Sequence, residues 1–515
     1  MSFLVLLVGI LFVIVTITVF KVHPFLALIL AAVLVGFLSP IPLEMKEEVE
    51  LERAILRSRV QNGEISESEY QKQSLTVRGR VKSRLESTSV KPRNQAVQAL
   101  ELTTREFGST AASIALVIVL AAIIGQCLLE SGAADKITRR LIAVLGEKRA
   151  PIALLSSGYF LSVPVFFDTV FFLLIPLARA LYLRTGKNFL LFVLAIVAGA
   201  AITHSLVPPT PGPLLMVENL SGQGLTLGTA IGLGFLLGII PATAGLFFAM
   251  ALNRRMKIIP KKALGVDDQQ LQEILQRHES QLPGFFSSVL PVALPVLLIS
   301  GNTVLQTVVE GALSPFPGWV LSVSEFLGNK NMALLLGTGF AAALLIRKQR
   351  LSLGAFQNKL EPAMLSAGVI ILITAAGGAF GKMLSRCGIS DLLQEWMGDG
   401  EFAVTGLLLL AWMLSATMKI AQGSGPVAMI TASGMMAAIL GNEIQLPCHP
   451  IYMFAAIGFG SKFFSWMNDS GFWVVGKMAG LSEKETLKTW TPLLAVMGIV
   501  GLLEVLVFSF FFPLR

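Results

Sequence analysis

The sequence predicts an all-α polytopic membrane protein of about ten membrane-crossing helices and two re-entrant hairpins, arranged as two halves of opposite orientation. Three observations predict it. Hydrophobic residues make up 54% of the 515 and charged residues 14%, with mean hydropathy +0.73, whereas soluble domains are about one-quarter charged. Apolar runs near the roughly 18–20 residues that span a hydrocarbon core recur at 3–20, 111–129, 225–252, 332–346 with its flanks, and 493–512. The chain also matches itself at an offset of 256 residues. Gly125-Gln-Cys-Leu-Leu-Glu-Ser-Gly132 followed by Asp135 returns as Gly381-Lys-Met-Leu-Ser-Arg-Cys-Gly388 followed by Asp391. A half-length repeat in an apolar chain is the layout of proteins built from two related membrane halves.

Taken in order, the first half holds crossings near 3–20, 25–39, 110–130, 188–217 and 227–252, with a hydrophobic hairpin between 150 and 180. The second half holds crossings near 286–306, 331–346, 363–385, 450–476 and 490–511, with a hairpin between 401 and 440. Five crossings per half is odd, so the second half enters the membrane inverted. The first apolar run lacks the basic flank of a signal peptide and reads as a retained helix. With the N-terminus outside, the short inner loops carry 21 Lys and Arg and the outer loops three. That asymmetry is the one that orients membrane proteins. Both termini are then outside. The first hairpin has a basic base and enters from inside. The second has an acidic base (Asp391, Glu395, Asp399, Glu401) and enters from outside.

Residues 1–252 therefore form the first repeat, 253–285 an inner linker, and 286–515 the second repeat. Within the first, 44–106 is a polar insertion with 12 Lys or Arg and 11 Asp or Glu. The topology places it outside, as long loops translocate largely regardless of charge.

Lipid tolerates irregular backbone only where it lines protein or a water-filled cavity. Four interruptions occur, paired between the halves. Ser162-Val-Pro-Val-Phe-Phe-Asp-Thr169 pairs with Lys419-Ile-Ala-Gln-Gly-Ser-Gly-Pro426 in the hairpins. Thr203-His-Ser-Leu-Val-Pro-Pro-Thr-Pro-Gly-Pro213 pairs with Gly460-Ser-Lys-Phe-Phe-Ser-Trp-Met-Asn-Asp-Ser-Gly471 in the fourth crossings. Four prolines and a glycine between 208 and 213 cannot continue a helix. Each interruption exposes N–H groups at a half-helix start, where anions bind. The pattern predicts a midplane site for a small carboxylate, with hydroxyls and amides from Thr169, Thr203, Ser205, Thr210, Gln422, Ser424, Ser465 and Asn468 for a hydroxylated substrate.

Ionisable groups inside a membrane are costly and point to function. Asp168 and Asp469 are the proton-coupling carboxylates this predicts, although an Asp at a helix start also serves as a cap. His204 either carries a proton or makes a structural hydrogen bond. Lys419 and Lys462 either neutralise the substrate or pair with an Asp. Lys382 and Glu504 read as interfacial, snorkelling groups.

Other classes are excluded. Cys127, Cys387 and Cys448 and four scattered histidines have no metal-ligand or disulfide spacing. The net charge of +8 sits in loops that orient the chain, so nucleic acid is not expected. Gly377-Gly-Ala-Phe-Gly-Lys382 is one residue short of a phosphate-binding loop, and no HExxH or GxSxG occurs. No enzymatic activity and no cofactor is expected, and transport would draw on an ion or substrate gradient. Two rivals stand beside proton symport: sodium-coupled uptake of another organic anion, and a non-transporting receptor or scaffold whose insertion holds a partner.

At these residues the chain resembles the gluconate permease family of gluconate:proton symporters. The resemblance is carried by 125–132 with Gly146-Glu-Lys-Arg-Ala-Pro151, by the Thr203–Pro213 run, by Ala421-Gln-Gly-Ser-Gly-Pro-Val427, and by Phe463-Phe-Ser-Trp-Met-Asn-Asp-Ser-Gly-Phe-Trp473 with Lys488-Thr-Trp490. It implies the ion transporter superfamily fold, a bacterial cytoplasmic membrane location, a homodimer, and proton symport of gluconate or a similar sugar-acid or hydroxy-acid anion. Carried over by position, it implies substrate contacts at Asp168, Thr169, His204 through Thr210, Gln422, Gly423, Ser424, and Ser465 through Asp469. The chain departs from relatives at Thr210 and Trp466, where they have His, and at Lys419, where they have Arg. The sugar acid and the coupling ion stay open.

Overall fold

The computed structural model describes residues 2–39, 94–256, 258, 279–311, 317–386, 401–441 and 446–514, with isolated positions between 52 and 81. Cys387, Gly388, Asp391, Glu395 and Asp399 lie outside the described residues, as do most of the insertion and of the linker. Every regular element among the described residues is helical, and eight helical stretches are long and apolar enough to cross a membrane.

The chain opens with α1 (Ser2–Thr18), α2 (Pro24–Phe37), α3 (Gln95–Ser131) and the amphipathic α4 (Ala133–Leu145). Asn94 caps α3 by accepting from the Ala96 N–H at 2.9 Å. The last dozen residues of the predicted insertion are therefore helix. Residues 136–149, expected as an inner loop, largely form α4. Its apolar residues occupy one stripe too short to register as a crossing. Further along the chain come α11 (Phe285–Gly311), a short α12 (Gly318–Gly328) in the predicted outer loop, α13 (Lys330–Gln349) and α14 (Leu353–Ser385). Helix α14 packs along α2 and α3, and α13 along α3. Arg386 joins the pair by donating to Glu106 at 2.7 Å, with Lys382 at 3.2 Å from the same carboxylate.

The predicted interruptions are breaks between short helices. The first hairpin is α5 (Ala150–Leu161) and α6 (Phe167–Thr185), parted by 162–166 with Pro164. Its counterpart is α15 (Glu401–Gln422) and α16 (Gly425–Leu440). Gly423 and Ser424 part these two, with Gly423 at φ +82°. The first broken crossing is α7 (Phe189–Leu206) and α8 (Pro211–Leu220), followed by α9 (Leu227–Leu237) and α10 (Ile239–Arg255), which bend apart at Gly238. The second broken crossing is α17 (Ile451–Gly460) and α18 (Ser470–Ala479), followed by α19 (Glu483–Phe511).

The broken helices form the centre. All 18 residues of α7 and all ten of α17 are buried. A helix apolar on every side must be surrounded by protein or lipid; here protein surrounds it. Small residues permit the approach. A Cβ on Gly199 would lie 2.1 Å from the Leu155 carbonyl, so α5 and α7 touch backbone to backbone.

One expectation is corrected. Glu504, read as snorkelling near a helix end, is 6% exposed and sits seven residues before the end of α19. Both its carboxylate oxygens lack a hydrogen-bond partner among the described residues.

Candidate substrate cavity

The breaks converge on a cavity of about 350 Å³. Its wall takes Phe166 to Thr169 from the start of α6, Ser424 to Pro426 from the start of α16, and Asp469 to Gly471 from the start of α18. Three helix N-termini therefore open on one space, and each directs partial positive charge into it. Trp490 and Leu494 of α19, Ala201 and His204 of α7, and Ser366 and Ile370 of α14 complete it, together with Lys419 and Lys462.

Four of its charged groups have different circumstances. Asp469 is held from several directions. Lys419 donates to Oδ2 at 2.6 Å, Ser465 donates to the same oxygen, and the Gly471 N–H donates to Oδ1 at 3.0 Å. Lys419 also donates to the Gly423 carbonyl, closing the last turn of α15. Lys462 is 7% exposed, and its ammonium makes no hydrogen bond or salt bridge among the described residues. A Cβ on Gly425 would lie 3.5 Å from its Nζ, which places the ammonium over the start of α16. Asp168 is exposed to the cavity and likewise makes no hydrogen bond or salt bridge among the described residues.

The other predicted residues divide. Thr169, His204 and Ser424 line the cavity. His204 is in the last turn of α7, edge-on to Phe166, with Nδ1 buried and without a partner among the described residues. Thr203 lies behind the wall, fully buried, with its Oγ1 unpartnered there. Ser205 donates to Ala201 at 3.0 Å, and Thr210 donates to His204 and Val207 carbonyls at 3.0 and 2.9 Å. These two tie off the end of α7, whose last carbonyls have no helical partner. Gln422 donates to Met418 Sδ at 3.2 Å, and Asn468 to the Ile420 carbonyl at 2.8 Å. Ser465 accepts from Trp490 Nε1 at 2.9 Å. Asn468 and Trp466, whose Nε1 donates to Ile420 at 3.1 Å, thus stitch the hairpin tip to the broken crossing, while Ser465 ties that crossing to α19.

Ser366, Ile370, Ala201 and Leu494 escaped the sequence reading because nothing in their spacing marks them. Trp490 stood in a motif without an assigned position, and its indole packs on Phe167 with ring centroids 5.5 Å apart.

Residues 94–511 match the GntP family permease profile. The chain belongs to the GntP permease family. It is an integral membrane transporter rather than an enzyme. An uncharacterized permease of Haemophilus influenzae is 32% identical over 80% of this chain and 83% of its own length. The gluconate permease of Pseudomonas aeruginosa is 29% identical over 98% of this chain and 96% of its own. The Gnt-II system L-idonate transporter of Escherichia coli is 31% identical over 78% and 86%. In fold, the YdaH transporter of Alcanivorax borkumensis aligns with TM-score 0.55 over 80% of this chain and 88% of that chain, at 18% identity.

Proposed function

We propose that this permease carries gluconate or a related sugar-acid monoanion together with a proton across the bacterial cytoplasmic membrane. The observation that carries the reading is Lys462, a buried cationic side chain facing the cavity that makes no salt bridge among the described residues. An unpaired buried charge costs on the order of several kcal/mol. A substrate carboxylate would offset that cost, and the start of α16 beside it would add N–H donors. Lys419, already engaged by Asp469, is assigned to the framework.

Asp168 is assigned the proton. With Lys419 and Asp469 balancing each other, a monoanion balances Lys462, and a proton neutralises Asp168. The loaded cavity is then neutral, the condition for crossing an apolar barrier at least cost. Thr169, Ser424 and Ser366 are assigned the substrate hydroxyls, and His204 a hydrogen bond to them. The proposed mechanism is alternating access between two inverted halves, in a homodimer with both termini outside. Relatives named gluconate permease and L-idonate transporter support the sugar-acid class.

The test is uptake of labelled gluconate by purified protein in liposomes. An inward proton gradient should drive accumulation, and a protonophore should abolish it. Accumulation that needs sodium and ignores the proton gradient refutes the coupling. Failure to take up any sugar acid refutes the substrate class.

A further inference from the structure

Away from the cavity, α4, α5, α10 and α11 enclose a groove of about 670 Å³. Its walls are almost wholly apolar, formed by Ile137, Leu141, Ile152, Phe247, Met250 and Phe285 among others. Its polar wall groups are few and mostly engaged by backbone. The Tyr159 hydroxyl donates to the Phe235 carbonyl, and the Thr243 hydroxyl to Ile239 at 2.7 Å. Ser156 is the remaining one. A polar metabolite has little to bind there. The groove is open at its side, where Ile152 is 40% and Phe247 65% exposed.

Basic residues adjoin the groove's lining along the chain. Arg140 follows Ile137 by one turn on α4, and Arg254 follows Met250 by one turn on α10, with Arg255 beside it. Lys148 and Arg149 precede α5. Two other cations there are already neutralised: Arg139 by Asp135 at 2.8 Å and Lys136 by Glu279 at 2.7 Å. Arg140, Arg254 and Arg255 are exposed and make no salt bridge among the described residues. Helix α4 carries its charges on one face and its apolar residues on the other, the form of a helix lying in a membrane interface.

We infer that this groove is a binding site for an anionic phospholipid, with an acyl chain along α5 and α10 and the phosphate on Arg140 and Arg254. The charge pattern selects this occupant. Apolar walls alone accept any lipid tail, whereas a basic rim at the interface favours an anionic headgroup over a zwitterionic one. The groove lies where α5 and α10, which pack on the central α7, meet α4 and α11, and α4 itself packs on α5.

The test is native mass spectrometry of the full-length protein in detergent, offered equal phosphatidylglycerol and phosphatidylcholine. Retention of phosphatidylglycerol should exceed that of phosphatidylcholine by about fivefold or more, since each arginine near the headgroup favours the anion by about that factor. High salt should erase the excess in the unmodified protein. Arg140→Gln with Arg254→Gln should bring the two lipids to near parity, and Thr243→Trp, which fills the groove, should lower retention of both. Equal retention by the unmodified protein overturns the inference, as does an excess that survives salt or the double substitution. If Thr243→Trp changes the oligomeric state and leaves lipid retention alone, the groove is a contact between copies, and the lipid site is wrong.

Discussion

Lys419 at the end of α15 and Asp469 at the start of α18 form a buried ion pair, Nζ to Oδ2 at 2.6 Å, that joins the second hairpin to the second broken crossing. The two residues are 50 positions apart in the chain. With Ser465, Trp490 and Gly423 bonded around them, they form the cavity's fixed wall.

Breaking that pair should unfold the wall. Lys419→Ala leaves a carboxylate that is 9% exposed without its cation, a change worth about 3–5 kcal/mol in buried pairs. We expect a marked fall in the thermal midpoint of the detergent-purified protein, together with loss of uptake. A midpoint within a degree of the unmodified protein would show that the pair bears little of the structure.

Lys462→Met should behave in the opposite way. It removes a buried charge that makes no salt bridge among the described residues and keeps an apolar stem of similar size. The midpoint should hold or rise. Transport should suffer, with KM for the sugar acid raised tenfold or more, about 1.4 kcal/mol of lost anion binding. Unchanged KM would remove Lys462 from the site.

Gly423 holds the hairpin tip in a conformation closed to other residues. Its φ is +82°, and a Cβ would stand 2.1 Å from the Asn468 carbonyl oxygen. Gly423→Ala should cost at least the roughly 1–2 kcal/mol of a left-handed non-glycine residue, and more from the clash. Gly406→Ala inside α15, where a Cβ meets nothing within 4 Å, should be neutral or stabilising. Equal effects from the two substitutions would contradict this geometry.

His449, in the loop before α17, sets a pH dependence of stability. Burial holds its pKa below the ordinary 6.5, and its Nδ1 accepts from the Ile451 N–H at 3.1 Å. As pH falls below 6.5 the unfolded chain takes up this proton before the folded one, so folding loses stability. His449→Gln keeps an acceptor and removes the titration. Its midpoint should fall less between pH 7.5 and 5.5 than that of the unmodified protein, a difference a paired melting series detects.

Much of the fold was legible because hydropathy and helix breakers act locally. Pro208 and Pro209 cannot continue α7 whatever surrounds them, and Gly423 ends α15 for the same local reason. The helices α4 and α12 were missed because 13 and 11 residues are too few to span a membrane. The site was half legible. Asp168, Thr169, His204, Ser424, Asp469 and both lysines do border one cavity, yet Ser205, Thr210 and Asn468 secure backbone instead, and Ser465 holds the Asp469 carboxylate. A hydroxyl beside a helix break has two uses, ligand contact or carbonyl cap, and only its neighbours decide between them.

By itself, then, the order of residues determined that this is a membrane protein and where its helices break, since transfer to lipid and backbone stereochemistry depend on each segment's own composition. Tertiary structure alone decided which lysine is paired and which is not, that Glu504 is enclosed rather than interfacial, and that Ser366 and Trp490 face the cavity. Those outcomes depend on distances between segments far apart in the chain, and the strength of a charge pair is set by separation and by the water that packing excludes.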